Sequence, residues 1–188
     1  MALTFALAVD EGRGGAVNFP PSGRSPLAAS ALRLNPYANF LGDAPPHGVL
    51  ETTPVTIASL IRNSDAARLT RAPAPGKWSI RDILCHLADC EITFAFRLRQ
   101  TMAEPHHAIQ PFDQDAWSAP YGKLDARDAL EAFTAVRRWN LMFIRAVGSA
   151  AESRPVLHPE RGEMTFRTIV ETMGGHDINH LRQIENRV

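Results

Sequence analysis

Gly174-Gly175-His176-Asp177-Ile178-Asn179-His180-Leu181-Arg182-Gln183 is the stretch whose reading decides the fold. On a helix, His176 and His180 stand on one face a turn apart, close enough to hold one metal ion between them. The face continues N-terminally through Phe166, Ile169, Val170 and Met173 and on to Ile184, so both imidazoles point where the apolar residues point. Thr165 reads as the cap of this last helix. The glycine pair inside it costs about 1 kcal/mol per glycine relative to Ala, which calls for another helix or a ligand in close approach.

Two histidines need a third ligand from elsewhere. His86 lies in Trp78-Ser79-Ile80-Arg81-Asp82-Ile83-Leu84-Cys85-His86-Leu87-Ala88-Asp89, where Ser79 and Asp82 form a capping-box variant. Ile80, Ile83, Leu84, Leu87, Phe94, Leu98 and Met102 repeat at three and four, and His86 shares their stripe. Burying three imidazoles without partners would cost about 1 to 3 kcal/mol for each unsatisfied group, a cost that a shared divalent metal removes. Three neutral histidines suit Zn or Ni, with Fe as a third option. Three protein ligands leave one position for water, which is the pattern of a reactive rather than a structural site. Asp89, Asp177 and Gln183 are candidates to support the ligands. Each has a blander reading as a surface side chain. Cys90, four after His86, reads as a small buried residue ahead of a fourth ligand. Arg137 borders the apolar face of its helix, open to a substrate carboxylate or, more simply, to solvent.

Working outward, the spacing predicts a helix from Thr53 to about Leu69, a second of roughly 25 residues from Ser79, a third over Asp125 to Val147 and the fourth from Thr165. The connection from Glu104 to Leu124, rich in proline, is long enough to run back along a helix of nearly 40 Å, so that the second and third helices would be parallel. No stretch reads as a strand of convincing length. The expectation is all-α, a four-helix bundle with a long crossover connection, up-down-down-up. Residues 1–50 hold six of the 12 glycines and six of the 14 prolines and read as a flexible N-terminal extension, leaving 51–188 as the bundle domain.

Composition limits the partners. Lys plus Arg and Asp plus Glu are both 20 in 188 residues, so no long-range field favours nucleic acid or an anionic membrane. A small-molecule substrate is expected, with no nucleic acid and no membrane, and a homodimer is left open. Cys85 and Cys90 point apart on one helix, and free thiols suit the cytoplasm.

Four motifs in order, Pro75-Gly76-Lys77-Trp78-Ser79-Ile80, His86-Leu87-Ala88-Asp89-Cys90-Glu91, Phe112-Asp113-Gln114-Asp115-Ala116-Trp117 and His176-Asp177-Ile178-Asn179-His180-Leu181-Arg182-Gln183-Ile184, resemble the DinB-like superfamily, which includes the YfiT-like metal-dependent hydrolases. The resemblance runs from about residue 54 to the end. It implies a crossover bundle and a three-histidine metal site, carried here by His86, His176 and His180. It also implies a choice of chemistries, hydrolysis or transfer of a low-molecular-weight thiol, and a stress-response role. A non-catalytic metal- or ligand-binding protein on the same bundle is the alternative. Cys90 and Asp82 depart from the family pattern, where a small apolar residue and Glu are expected.

Overall fold

The computed structural model describes residues 34–188. Residues 1–33 of the expected extension lie outside the described residues. From Leu34 onward the chain packs on the bundle, through the short helix α1 (Ala38–Leu41). Four long helices follow: α2 (Pro46–Ile61), α4 (Ile80–Ala103), α6 (Ala126–Val147) and α7 (Phe166–Glu185). Short helices α3 (Ala66–Thr70) and α5 (Gln114–Ser118) lie in the connections.

The direction of each helix can be read from its packing partners. Ile83 and Leu84 of α4 share a core cluster with Ala126 and Ala129 of α6, and Phe94 and Leu98 share the other with Leu141 and Ile144. Helices α4 and α6 are therefore parallel. Leu50 of α2 and Phe166 of α7 lie in the cluster of Leu98 and Ile144, whereas Ile61 and Ile184 lie with Ile83. Helices α2 and α7 thus run opposite to the other two, and the order is up-down-down-up.

The caps explain where three of the helices begin. Ser79 and Asp82 exchange their bonds across the first turn of α4, with Asp82 N–H donating to Ser79 Oγ (3.2 Å) and Ser79 N–H to Asp82 Oδ2 (2.9 Å). Asp125 accepts from Arg127 N–H and Asp128 N–H at the start of α6, and Thr165 from Thr168 N–H at the start of α7. Gly148, at φ 65°, ends α6 in a conformation that other residues adopt only at a cost.

The first predicted helix needs correction at both ends. It starts at Pro46, not Thr53, and stops at Ile61, with α3 a separate turn capped by Asp65. Thr53 is a buried interior residue whose hydroxyl donates to Val49 O (2.8 Å). Pro54 looked like a first-turn residue because it has no N–H to donate. In fact it sits inside α2, and the carbonyl it leaves without a helical partner, Leu50 O, accepts instead from Arg137 Nη1 (3.1 Å).

Strands are the second correction. A three-stranded sheet joins β1 (His107–Ala108), β2 (Pro155–His158) and β3 (Gly162–Thr165), with β1 parallel and β3 antiparallel to β2. Strands of two to four residues are too short to show an alternating pattern in sequence. The sheet ties the crossover connection to the α6–α7 connection at one end of the bundle, and the hairpin turn between β2 and β3 brings His158 and Arg161 close to the histidine-bearing helices.

Candidate metal centre

Between the two apolar clusters lies a polar layer. Helix α4 contributes His86 and Glu91, α6 contributes Arg137 and Asn140, and α7 contributes His176, Asp177 and His180. All are buried. The three imidazoles converge through their Nε2 atoms, His86 to His176 at 3.0 Å and His180 to His176 at 3.1 Å. Their candidate ligand atoms all lie within 4.8 Å of one another. Two nitrogens bound tetrahedrally to zinc at about 2.0–2.1 Å would stand roughly 3.3 Å apart, so a small relaxation admits an ion.

The electrostatics of the cluster fit a cation better than protons. Burial, and then the neighbouring His180, hold His86 well below the ordinary histidine range. His176 is held there by burial and both other imidazoles. Burial brings His180 down to about 4, against its hydrogen bond to Gln183. Neutral rings keep a lone pair available for a metal. His180 Nδ1 lies 3.3 Å from Gln183 Oε1, and with Nδ1–H donating to that oxygen the Nε2 lone pair of His180 turns to the cluster. Trp78 flanks His86 with ring centroids 4.8 Å apart, and Tyr37 meets His176 edge-on at 5.1 Å.

The glycine pair is explained by α1. A Cβ on Gly175 would lie 2.7 Å from Tyr37 Cβ and closer still to the Tyr37 carbonyl oxygen. One on Gly174 would meet Leu41 Cδ1 at 3.1 Å and Pro46 Cα at 3.4 Å. The segment carrying Tyr37 therefore reaches His176 only because α7 is bare at this point. Tyr37 lies in the stretch that composition assigned to a flexible extension.

The supporting carboxylates go elsewhere. Asp89 Oδ2 accepts from Tyr121 O–H (2.7 Å). Asp177, expected either to orient an imidazole or to lie at the surface, does neither. It accepts two bonds from Arg137, Nη1 to Oδ2 at 2.5 Å and Nη2 to Oδ1 at 3.0 Å. Arg137 Nη2 also donates to Glu91 Oε2 (2.8 Å), and Asn140 Nδ2 donates to Glu91 Oε1 (2.9 Å). Arg137 is thus neither solvated nor free for a substrate. Burial opposes its charge, but Asp177 and Glu91 outweigh that and raise its pKa above the ordinary arginine value. Glu91 and Asn140 were missed by the sequence reading. The signal was available in Arg137 itself, four residues from both Phe133 and Leu141 on an inward stripe, where a buried cation requires a carboxylate partner.

Cys90 Sγ lies 3.4 Å from His86 Nε2 but stands outside the mutually close donor set. Cys85 is buried, its thiol pushed up to about 11 mainly by burial, so it is an inert packing residue. Of the loop aromatics, Trp117 packs on Phe112 and His107 bonds to Glu104. A cavity of about 80 Å³ opens beside the cluster, and its lining includes His86, Cys90 and His176 together with Arg97, His158 and Arg161.

Comparison with known proteins gives the family and the fold. The DinB superfamily model matches residues 50–184. A "Putative metal-dependent hydrolase" of Oceanobacillus iheyensis is 23% identical over 136 residues, covering 72% of this chain and 79% of the relative. The "Putative metal-dependent hydrolase YfiT" of Bacillus subtilis is 25% identical over 154 residues, 74% of this chain and 82% of that one. The solved YfiT structure, described as having "an unusual four-helix bundle topology", superposes with a TM-score of 0.66 at 19% identity, covering 90% of this chain and 93% of its own. Among the described residues no helix is long and apolar enough to cross a membrane.

Proposed function

The chain belongs to the DinB superfamily, and from that premise we propose that it is a metal-dependent hydrolase of small molecules, with His86, His176 and His180 as the metal ligands. The convergence of three buried, neutral imidazoles beside a cavity carries this reading. The names of its relatives support it. Zinc, nickel or iron held there would act as a Lewis acid and activate water at neutral pH.

The chain's own residues have separate tasks in this reading. Gln183 fixes the tautomer of His180. Arg137 clamps α7 to α4 through Asp177 and Glu91, which keeps His176 and His180 in register with His86. Trp78 and Tyr37 cover the rings and exclude bulk water, which strengthens every electrostatic interaction inside.

The same centre would serve transfer of a low-molecular-weight thiol, the other chemistry that the family resemblance brings. Both are tested together by offering zinc- or nickel-loaded protein a panel of small esters, amides and alkyl halides, with and without added cysteine. Turnover that is abolished by chelator and by His86→Ala supports an enzyme, and its dependence on thiol separates hydrolysis from transfer. Saturable binding without turnover in either arm would make this a binding protein.

A further inference from the structure

The cavity beside the histidines has an unusual lining. Arg97 of α4 and Arg161 of the β2–β3 turn both line it, and no salt bridge among the described residues holds either, Glu160 acting on Arg161 only as a neighbouring charge. Arg97 Nη2 donates to Gln110 O at 3.3 Å, while its Nε is buried without a partner. Its guanidinium lies about equally far from the rings of Phe94 (5.9 Å) and Phe112 (6.0 Å), which leaves its edge as the donor surface. Arg137 also leaves its Nε buried without a partner, but its two terminal nitrogens are filled by two carboxylates and a carbonyl, and Arg97 lacks the carboxylates.

Two neighbouring cations in a low-dielectric wall repel one another, and since Glu160 acts on Arg161 and no carboxylate acts on Arg97, the arrangement is costly without a further anion. Burial first, and Arg161 beside it, bring Arg97 down to about 10, which leaves it charged at neutral pH. Burial and then the same two arginines push His158 down to about 4, so its ring is neutral. Its Nδ1 accepts from Glu160 N–H (3.2 Å), which leaves the proton on Nε2 as a neutral donor.

We propose that this cavity binds the carboxylate group of a small anionic substrate, gripped by Arg97 and Arg161, with the adjoining part of the molecule turned towards His86 and His176. A guanidinium fork matches a planar carboxylate with two parallel bonds. The volume of about 80 Å³ suits a carboxylate and a few further atoms. A single water needs roughly 10–15 Å³ by the same kind of measure. The orientation towards the histidines rests on the metal-dependent reading above. The anion site itself does not.

The test is calorimetric titration of the full chain, zinc-loaded and metal-free, with succinate, with uncharged succinamide and with inorganic phosphate. Succinate should bind at least about tenfold more tightly than succinamide in both forms, the size expected for charge-assisted hydrogen bonds. Arg161→Gln and Arg97→Gln should each remove about that factor. Arg161 lies in a partly exposed turn, so its variant decides the question if Arg97→Gln fails to fold. Equal affinity for the two probes, no saturable succinate binding, tighter binding of phosphate than of succinate, or unchanged affinity in Arg161→Gln would overturn the proposal. Zinc content measured on the same samples reads the metal centre separately. Arginine-dependent succinate binding by protein that takes up no zinc sustains the anion site and removes the metal reading. Zinc uptake without succinate binding does the reverse.

Discussion

Arg137 on α6 holds Asp177 on α7 with two guanidinium–carboxylate bonds, one residue along the chain from His176. The pair is closed to solvent, and Glu91 completes it from α4, the helix that carries His86. Three of the four long helices are thereby tied at the level of the candidate metal centre.

Removing one partner leaves a buried charge uncompensated. Asp177→Ala or Glu91→Ala should therefore destabilise the fold by about 3–5 kcal/mol, measured by urea unfolding at neutral pH. A loss below about 1 kcal/mol would mean that the network is not closed as the geometry has it.

Arg137 also serves the carbonyl of Leu50, which faces Pro54. Pro54→Ala would restore a helical N–H to that carbonyl. The relief should be largest in an Arg137→Met background, where Leu50 O has lost its donor. A double-mutant cycle should show coupling of about 0.5–3 kcal/mol between the two positions, and strict additivity would contradict the account.

The glycine pair makes a prediction with an internal control. On helix propensity alone, either Gly→Ala change should stabilise α7 by about 1 kcal/mol. At Gly175 the new methyl would collide with Tyr37 backbone, and we expect a net loss of about 1–3 kcal/mol by overpacking. At Gly174 the nearest atom is the end of the Leu41 side chain, which can yield, so the change should be close to neutral. Thermal melts of the two variants rank them directly.

Much of this was legible in the sequence, and the rest was hidden for identifiable reasons. The caps Ser79 and Thr165 and the inward stripes through His86 and His180 are local signals, and the structure reproduces the helices they mark. Pro46 and Pro54 hid the true start of α2, because the donor that rescues Leu50 O comes from Arg137 on another helix. The inward position of Arg137 signals that it needs a carboxylate, but no spacing rule names Asp177 and Glu91 as the ones it meets, nor places Arg97 and Arg161 at one cavity. Tyr37 was lost to composition, since a segment rich in glycine and proline reads as loose until something is shown to pack on it.

The metal-free protein should lose stability in mild acid. His86, His176, His180 and His158 are all held below the ordinary value of 6.5, with His180 and His158 brought to about 4 by burial before any other cause. Below about pH 6.5 the unfolded chain takes up protons on these rings that the folded chain does not. Their neutral burial is thus tolerated fully above that pH, and stability falls as the pH drops from about 6.5 towards 4. The slope is at most about 1.4 kcal/mol per pH unit for each ring. Unfolding free energies that stay flat from pH 7 to 5 would contradict these environments.

Gln183 offers a graded test of the site. Gln183→Leu removes the acceptor for His180 Nδ1–H and leaves the ligand set intact, so metal affinity should fall by about 10- to 100-fold in competition with a chromogenic chelator. Full retention of affinity would show that the tautomer is fixed some other way.

The most direct measurement is metal stoichiometry with X-ray absorption on protein expressed in metal-replete medium and purified without chelator. The account predicts a single ion per chain with three imidazole nitrogens in its inner shell, lost from His86→Ala, His176→Ala and His180→Ala alike. Protein that binds no metal, or that keeps its ion when all three histidines are replaced together, would contradict it.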